Sequence, residues 1–420
     1  MDKFVVYKSI LKGQVSASGS KNSSLPIMAA TLLTDETCVI HNVPDLSDVR
    51  TMARILENLG KKIEFSGHTL RIHSRRQRNY VAPYRLVRTM RASFCVLGPL
   101  LAKRKKAKVS LPGGCVIGSR PVDLHIKGLI QLGAHLIIEN GYCVGHTAAG
   151  LIGNHVFLGG HFGSSVLGTG NVLMAATLAK GETLIEYSAC EPEIADLVSF
   201  LKKMGADIQG GGTQLIKVKG KKELHGAEHT VIPDRIEVGT LIAASLATRS
   251  PLTIKNVHPL HMTSVLECAR RMGAQLRMKK NILTIRPPRK LRPVNITTLP
   301  FPGFPTDLQA QFMIPLCLAD GVSLITEKIF PDRFMHVAEL QRMGAKISRS
   351  GPYAIIEGTR SMYGAEVMAS DLRASAALVI AGLVSQGKTE ILRIYHLDRG
   401  YYKLEEKLRQ LGARINREKQ

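Results

Sequence analysis

Tryptophan is absent from this 420-residue chain, and Phe, Trp and Tyr together make up only 5% of it. Little aromatic surface is therefore available for stacking nucleobases, and none of it is interleaved with basic runs. Cysteine is sparse and unpatterned: the seven (Cys38, Cys95, Cys115, Cys143, Cys190, Cys268 and Cys317) are odd in number and lack CxxC or Cys/His ligand spacing. Such usage indicates neither a disulfide framework nor a metal site, and fits a reducing compartment. Long hydrophobic runs are missing too, so no segment reaches transmembrane length. The opening residues, Met1-Asp2-Lys3-Phe4-Val5-Val6, have neither a basic region followed by an apolar core nor a cleavage site. The expectation is a soluble, cytoplasmic protein without membrane insertion.

Acidic residues are the other shortage. Lys and Arg outnumber Asp and Glu by 57 to 33, a net charge of +24. Nucleic acid, an anionic membrane or an anionic small molecule would each suit that balance. Much of the charge lies in short runs, Arg75 to Arg78, Lys103 to Lys106, Lys217 to Lys222 and Arg286 to Arg292, which fall between periodic segments and read as solvated turns. No helix-turn-helix, zinc-finger or RNP pattern accompanies them, so a small anionic substrate is expected and nucleic acid is not. With 45% hydrophobic residues and this length, the chain can build two or more domains, each with a full core.

What is present in abundance is repetition. Leu59-Gly60, Leu132-Gly133-Ala134, Met204-Gly205-Ala206, Met272-Gly273-Ala274, Met343-Gly344-Ala345 and Leu411-Gly412-Ala413 recur with their glycines 73, 72, 68, 71 and 68 residues apart. Each phrase closes an amphipathic segment, as a glycine just past a helix does. Two alternating segments around a turn follow, for example Lys62 to Ile72 and Gln275 to Ile285, which predicts a hairpin. Upstream lies a second helix rich in small residues, such as Met174 to Ala179 or Ile242 to Ala247, then a strand. The unit is therefore strand, helix, strand, helix and strand over about 70 residues, repeated as in other arrays. Since the sixth unit stops after one hairpin arm, the strand Phe4 to Tyr7 is expected to pair with the C-terminal one. Six units then divide into two domains of three, residues 21–231 and residues 1–20 plus 232–420.

Chemistry-bearing residues gather at two kinds of place. One is the stretch Gly113 to His125, where three glycines in six residues carry Cys115 and Arg120 as a mobile lid would. A thiol can pass a proton and a guanidinium can hold a carboxylate or phosphate at two points. The other is the start of the first helix in each unit: Ser18 to Asn22, Arg88 to Arg91, Ser164 to Asn171, Pro233 to Glu237, Pro305 to Gln309 and Ser370 to Arg373. Helix starts attract anions, and each Asp or Ser there can equally be a cap. Arg120, Asp332-Arg333 and Asp398-Arg399 stand near the starts of the second helices.

Taken together, Ser18-Gly19-Ser20-Lys21-Asn22, the Cys115 loop with Arg120-Pro121-Val122-Asp123-Leu124-His125, Phe304 to Gln311, Arg333 to His336, Ser370 to Ala376 and His396 to Tyr401 resemble the UDP-N-acetylglucosamine enolpyruvyl transferase family. The resemblance runs nearly end to end. It implies an α/β fold of two inside-out barrel domains, each of three units. It implies transfer of the enolpyruvyl group of phosphoenolpyruvate to the 3′-hydroxyl of UDP-N-acetylglucosamine with release of phosphate, in peptidoglycan synthesis, with no metal or organic cofactor. By the same resemblance Asp307 is the base and Cys115 the acid or proton relay. Lys21, Arg91, Arg120, Arg333, Arg373 and Arg399 form the cationic cluster, Lys21 and Arg399 acting with the catalytic pair. Asn22 and Thr306 hydrogen-bond the sugar, Arg120, Pro121, Val122, Asp123, Leu124 and His125 line the uridine pocket, and Ser165, Val166 and Asp371 complete the substrate site. Cys115 is then the expected target of the epoxide antibiotic fosfomycin.

The chain departs from the family pattern in Gly163-Ser164-Ser165-Val166-Leu167, which lacks the Lys and the second Gly usual at the diphosphate, with His161, Gly168 and Gly170 as possible compensation. Cys95 and Pro331-Asp332 also differ from it. Two other readings stay open: a catalytically altered paralogue that binds a nucleotide sugar, and the related enzyme acting on shikimate 3-phosphate, which lacks the Cys-bearing lid.

Overall fold

The computed structural model describes residues 2–75, 79–113, 122–160 and 163–419. These fall into two compact units, one made of the described residues of 19–232 and the other of residues 2–18 with 233–419.

Each amphipathic segment is a helix closed by its glycine. Gly60, Gly133, Gly205, Gly273, Gly344 and Gly412 all adopt positive φ, between 86° and 102°, which a side chain would oppose. The hairpins follow at once, Lys61–Ser66 with Thr69–Ser74 and Gln275–Lys279 with Ile282–Arg286 being two of them.

In the unit containing the chain ends, three four-stranded sheets form, and in the other unit three more, besides the short ribbon Gly159–Gly160 with Gly163–Ser164. All six sheets have one pattern: an outer parallel pair, then two antiparallel pairings. In the sixth sheet the strand Asp2–Tyr7 takes the place of the missing return arm. It runs antiparallel to Arg414–Lys419 in the register Asp2 to Lys419 through Tyr7 to Arg414.

The small-residue helices are inside and the sheets outside. Arg235–Thr248, Gln309–Cys317 and Leu372–Val384 pack on one another in the unit with the termini, nearly every residue of each buried. A helix apolar on all sides must be enclosed, which is why these three show no polar face. In the other unit Lys21–Ala30 and Leu97–Arg104 both pack on Val166–Ala176. Gly98 allows this approach: a Cβ there would lie 2.2 Å from the Asn171 carbonyl oxygen. The helices Ser47–Asn58 and Thr263–Arg271 are amphipathic and lie on the outside, one face buried. The result is a two-unit, inside-out α/β architecture built from six repeats.

Two expectations about charge are corrected. Lys103 and Arg104 form the last turn of the helix Leu97–Arg104 and Lys106 opens the strand Lys106–Ser110, so only Lys105 of that run lies between elements. Lys217 and Lys219 lie within the strand Leu215–Lys219, alternating exposed and buried positions, so they line the solvent side of a sheet and not a turn.

Candidate active site

In the unit with the termini, Asp307 sits in the single turn Thr306–Leu308 that precedes the buried helix Gln309–Cys317. Its Oδ1 accepts from Arg333 Nη1 at 2.8 Å and its Oδ2 from Arg373 Nη2 at 2.9 Å. Burial alone would raise this carboxyl. The charges and hydrogen bonds of Arg373 and Arg333 outweigh it and hold Asp307 well below the usual carboxylate range. Arg373 is 2% exposed. Burial opposes its charge, but Asp307, Tyr401 and Asp234 together drive its pKa above the ordinary arginine value. Among the described residues its Nε and Nη1 have no hydrogen-bond partner. A buried guanidinium with donors to spare can receive a carboxylate or phosphate.

A second layer fixes these groups. Thr306 Oγ1 donates to Glu327 Oε2 at 3.0 Å and accepts from Arg333 Nη1 at 3.1 Å, so its hydrogen is taken and it can only accept from a ligand. The other Glu327 oxygen accepts from Thr298 Oγ1 and from the N–H groups of Ile329 and Phe330, which leaves that buried carboxylate fully engaged. Asp371 caps the helix Leu372–Val384, its Oδ1 accepting from the N–H groups of Arg373 and Ala374. Arg373 is thereby placed on the first turn of that helix. His336 nearby is buried, and burial pushes it down to about 4, so it is neutral near pH 7. Arg399 ends the short helix Ile394–Arg399, and Asp398 beside it pairs with Arg417 at 2.6 Å.

In the other unit, Lys21 opens the helix Lys21–Ala30, whose cap is Ser20, and Asn22 follows it half-buried. Lys21 Nζ lies 3.2 Å from Asp48 Oδ2, and both side chains are nearly buried. Asp196 braces the same helix start, accepting from Ser23 Oγ, from His229 Nε2 at 2.8 Å and from the N–H of Ile232 at 3.2 Å. Arg91 begins the short helix Arg91–Val96, half-buried.

His125 is 1% exposed, packed edge-on against Phe94 in the helix Asp123–Gln131, which also carries Leu124 and follows Val122. Asn171 Nδ2 donates to the Phe94 carbonyl and to His125 Nδ1, each at 3.0 Å, while Asn171 Oδ1 accepts from Gly98 N–H. Nδ1 is therefore the acceptor and Nε2 carries the proton. Burial, aided by the Arg91 charge, holds His125 down to about 3. Among the described residues its Nε2 has no hydrogen-bond partner. Ser165 Oγ caps the helix Val166–Ala176 by accepting from Gly168 N–H at 3.1 Å.

Cys115, Arg120, Pro121 and His161 lie outside the described residues. The six other cysteines are free thiols. Among the described residues no group of three or more His, Cys, Asp or Glu is arranged to hold a metal ion.

Three residues that the motifs did not single out matter here: Asp48, Glu327 and Asp196. Only Glu327 left a trace in the sequence. It ends the alternating strand Val322–Glu327 on the inward side, where a lone carboxylate demands partners.

The family model described as EPSP synthase (3-phosphoshikimate 1-carboxyvinyltransferase) matches residues 6–408. A protein from Methylacidiphilum infernorum, named UDP-N-acetylglucosamine 1-carboxyvinyltransferase, is 52% identical over 418 residues, 99% of each chain. A second, UDP-N-acetylglucosamine 1-carboxyvinyltransferase 2 of Carboxydothermus hydrogenoformans, is 50% identical over 420 residues, again covering 99% of each. Among solved structures, the enolpyruvyl transferase NikO from Streptomyces tendae superposes with a TM-score of 0.89 at 24% identity, covering 99% of this chain and 98% of that one. EPSP synthase from Acinetobacter baumannii gives 0.76 at 19% identity over the whole of both chains. At these identities the two structures speak for the fold alone. The match to the family model over residues 6–408 and the half-identical relatives go further: the chain belongs to the EPSP synthase-like carboxyvinyltransferases, and within them to the UDP-N-acetylglucosamine 1-carboxyvinyltransferase family.

Proposed function

We propose that this chain transfers the enolpyruvyl group of phosphoenolpyruvate to the 3′-hydroxyl of UDP-N-acetylglucosamine, the first committed step of peptidoglycan synthesis, in the cytoplasm. The observation that carries the reading is the Asp307 carboxylate clamped between two buried guanidinium groups, one of which has donors left over. The names of relatives about half identical over the full length support the choice of substrates. No helix of the described residues is long and apolar enough to cross a membrane.

In the addition step the 3′-oxygen bonds to C2 of phosphoenolpyruvate while C3 gains a proton. In the elimination C3 gives a proton back and the bond from C2 to the phosphate oxygen breaks. Asp307 receives the hydroxyl proton and Cys115 serves C3. With both its oxygens held by arginines, Asp307 is a weak base. Phosphoenolpyruvate shares the charge of Arg333 and Arg373 when it binds, which raises Asp307 towards a useful proton affinity. Lys21, Arg91, Arg120 and Arg399 add positive charge for the anionic intermediate and the leaving phosphate. Asn22 and Thr306 bind the sugar, residues 120–125 the uridine, and Ser165, Val166 and Asp371 border the nucleotide sugar. The domains in this reading are residues 21–231 and residues 1–20 plus 232–420.

The test is phosphate release from phosphoenolpyruvate with UDP-N-acetylglucosamine, beside shikimate 3-phosphate and beside Asp307→Ala. Release with the nucleotide sugar alone, lost in the variant, supports the proposal. Release with shikimate 3-phosphate would reassign the acceptor. No release with either would favour a nucleotide-sugar-binding paralogue, with Gly163 to Gly168 as the altered segment.

A further inference from the structure

Beneath Asp307 and Arg373 lies a buried polar junction that no part of the proposed chemistry uses. Tyr401 is 2% exposed, and its hydroxyl lies 2.8 Å from Thr240 Oγ1 and 2.9 Å from Gln311 Nε2. Thr240 Oγ1 donates to the Ile236 carbonyl at 2.8 Å, so in the contact with Tyr401 the phenol is the donor. Gln311 Nε2 also donates to the Asp307 carbonyl at 2.8 Å and approaches Thr240 Oγ1 at 3.3 Å. The guanidinium carbon of Arg373 stands 5.2 Å from the centroid of the Tyr401 ring, within cation–π range.

One phenol thus touches all three central helices of its unit, two of them, at Gln311 and Arg373, on the first turns that carry the site. Its hydroxyl reaches the Asp307 backbone through Gln311, and its ring supports Arg373. Burial keeps the phenol above its ordinary pKa, so this donor order persists at neutral pH. We propose that Tyr401, with Gln311 and Thr240, is a positioning residue for the Asp307–Arg373 pair: the hydroxyl sets Asp307 and the ring sets Arg373. The proposal rests on the enolpyruvyl-transfer reading above.

The two halves of the phenol can be removed separately. Tyr401→Phe keeps the ring, and Gln311 retains Asp307 and Thr240 as acceptors, so no buried donor is stranded. Its kcat is expected to fall about tenfold with KM for phosphoenolpyruvate within about twofold of wild type. Tyr401→Leu should in addition raise that KM about tenfold, since Arg373 loses its support. Gln311→Leu should resemble Tyr401→Phe, and the double variant should be no slower than the slower single, because both act through one path. Ser245→Ala, which removes a buried hydrogen bond from the same helix, is the stability control and should leave both constants unchanged. A kinetically normal Tyr401→Phe, equal effects of Phe and Leu on KM, or independent multiplication with Gln311→Leu would overturn the proposal. Hydrogen exchange measured by mass spectrometry gives a readout without turnover: Tyr401→Phe should speed exchange in peptides spanning residues 306–311, and unchanged exchange there would also overturn it. Failure of wild type to release phosphate would instead sink the functional reading, leaving the exchange result to decide this one.

Discussion

Arg373 donates from Nη2 to Oδ2 of Asp307 across 2.9 Å while its Nε and Nη1 keep free hydrogens in a buried setting. The carboxylate is held as an anion and the cation keeps capacity for a second one. That asymmetry suits a site that must take up an anionic substrate without surrendering its base.

Replacing Asp307 by Asn should lower kcat at least about 100-fold, as loss of a positioned base does. The variant should also lose stability at pH 7, by about 3 kcal/mol, because two buried guanidinium groups are left without their anion. The Asp307 pKa is depressed on folding, so its stabilisation is present above the unfolded value of about 3.9 and lost as pH falls through the folded one. The difference between wild type and variant should therefore be flat from pH 7 to about 5 and shrink only below about 4. Denaturant titrations across that range test it, and a difference that vanishes by pH 6 would count against the clamp.

Lys21 and Asp48 should be coupled. Removing either alone takes one partner from a nearly buried charge and should cost about 2 kcal/mol, whereas Lys21→Met with Asp48→Leu should cost less than the sum of the singles. A double-mutant cycle in urea measures this. Strict additivity would mean that the pair contributes nothing specific.

Lys61 is 2% exposed, its Nζ donating to the Thr34 carbonyl and to Ser74 Oγ, each at 2.8 Å, and burial pushes its pKa down to about 8. Between pH 8 and about 10.4 the unfolded chain binds more protons at this group than the folded one, so stability rises with pH. Relative to Lys61→Met, wild type should gain up to about 3 kcal/mol across that interval. Equal pH dependence of the two proteins would remove Lys61 as the titrating group.

The thiols offer a chemical test. Burial raises Cys38 and Cys190, lifts Cys143 to about 11 and lifts Cys95, Cys268 and Cys317 to about 12, which makes them poor nucleophiles at pH 7.5. Fosfomycin should therefore add once, at Cys115, and faster with UDP-N-acetylglucosamine present. Peptide mapping that finds the adduct on another cysteine, or no mass change, would contradict the role proposed for Cys115.

Much of this molecule was legible before folding was considered. The six glycine phrases marked helix ends because a positive φ is a local demand, and local demands are written in local sequence. The hairpins showed in alternation of period two, and the unfinished sixth unit announced the pairing of Asp2–Tyr7 with Arg414–Lys419. Helix starts at Ser20, Ser165, Asp234 and Asp371 were visible as caps for the same reason.

Partnership between distant residues was not. Asp307 meets Arg373 across 66 positions, Tyr401 meets Thr240 across 161, and Lys21 meets Asp48 across 27, and no periodicity encodes such pairs. Nor did residue type tell that the His125 imidazole would be buried and accept from Asn171 at Nδ1, since that partner lies 46 positions away. Sequence alone determined the repeat, the glycines that close its helices and the residue chemistry available at each helix start, because these depend on backbone conformation and on neighbours a few residues away. Tertiary structure decided which charges are buried together, how far each pKa moves and which donors are left over, because desolvation and Coulomb terms depend on distances set only when the three central helices close on one another.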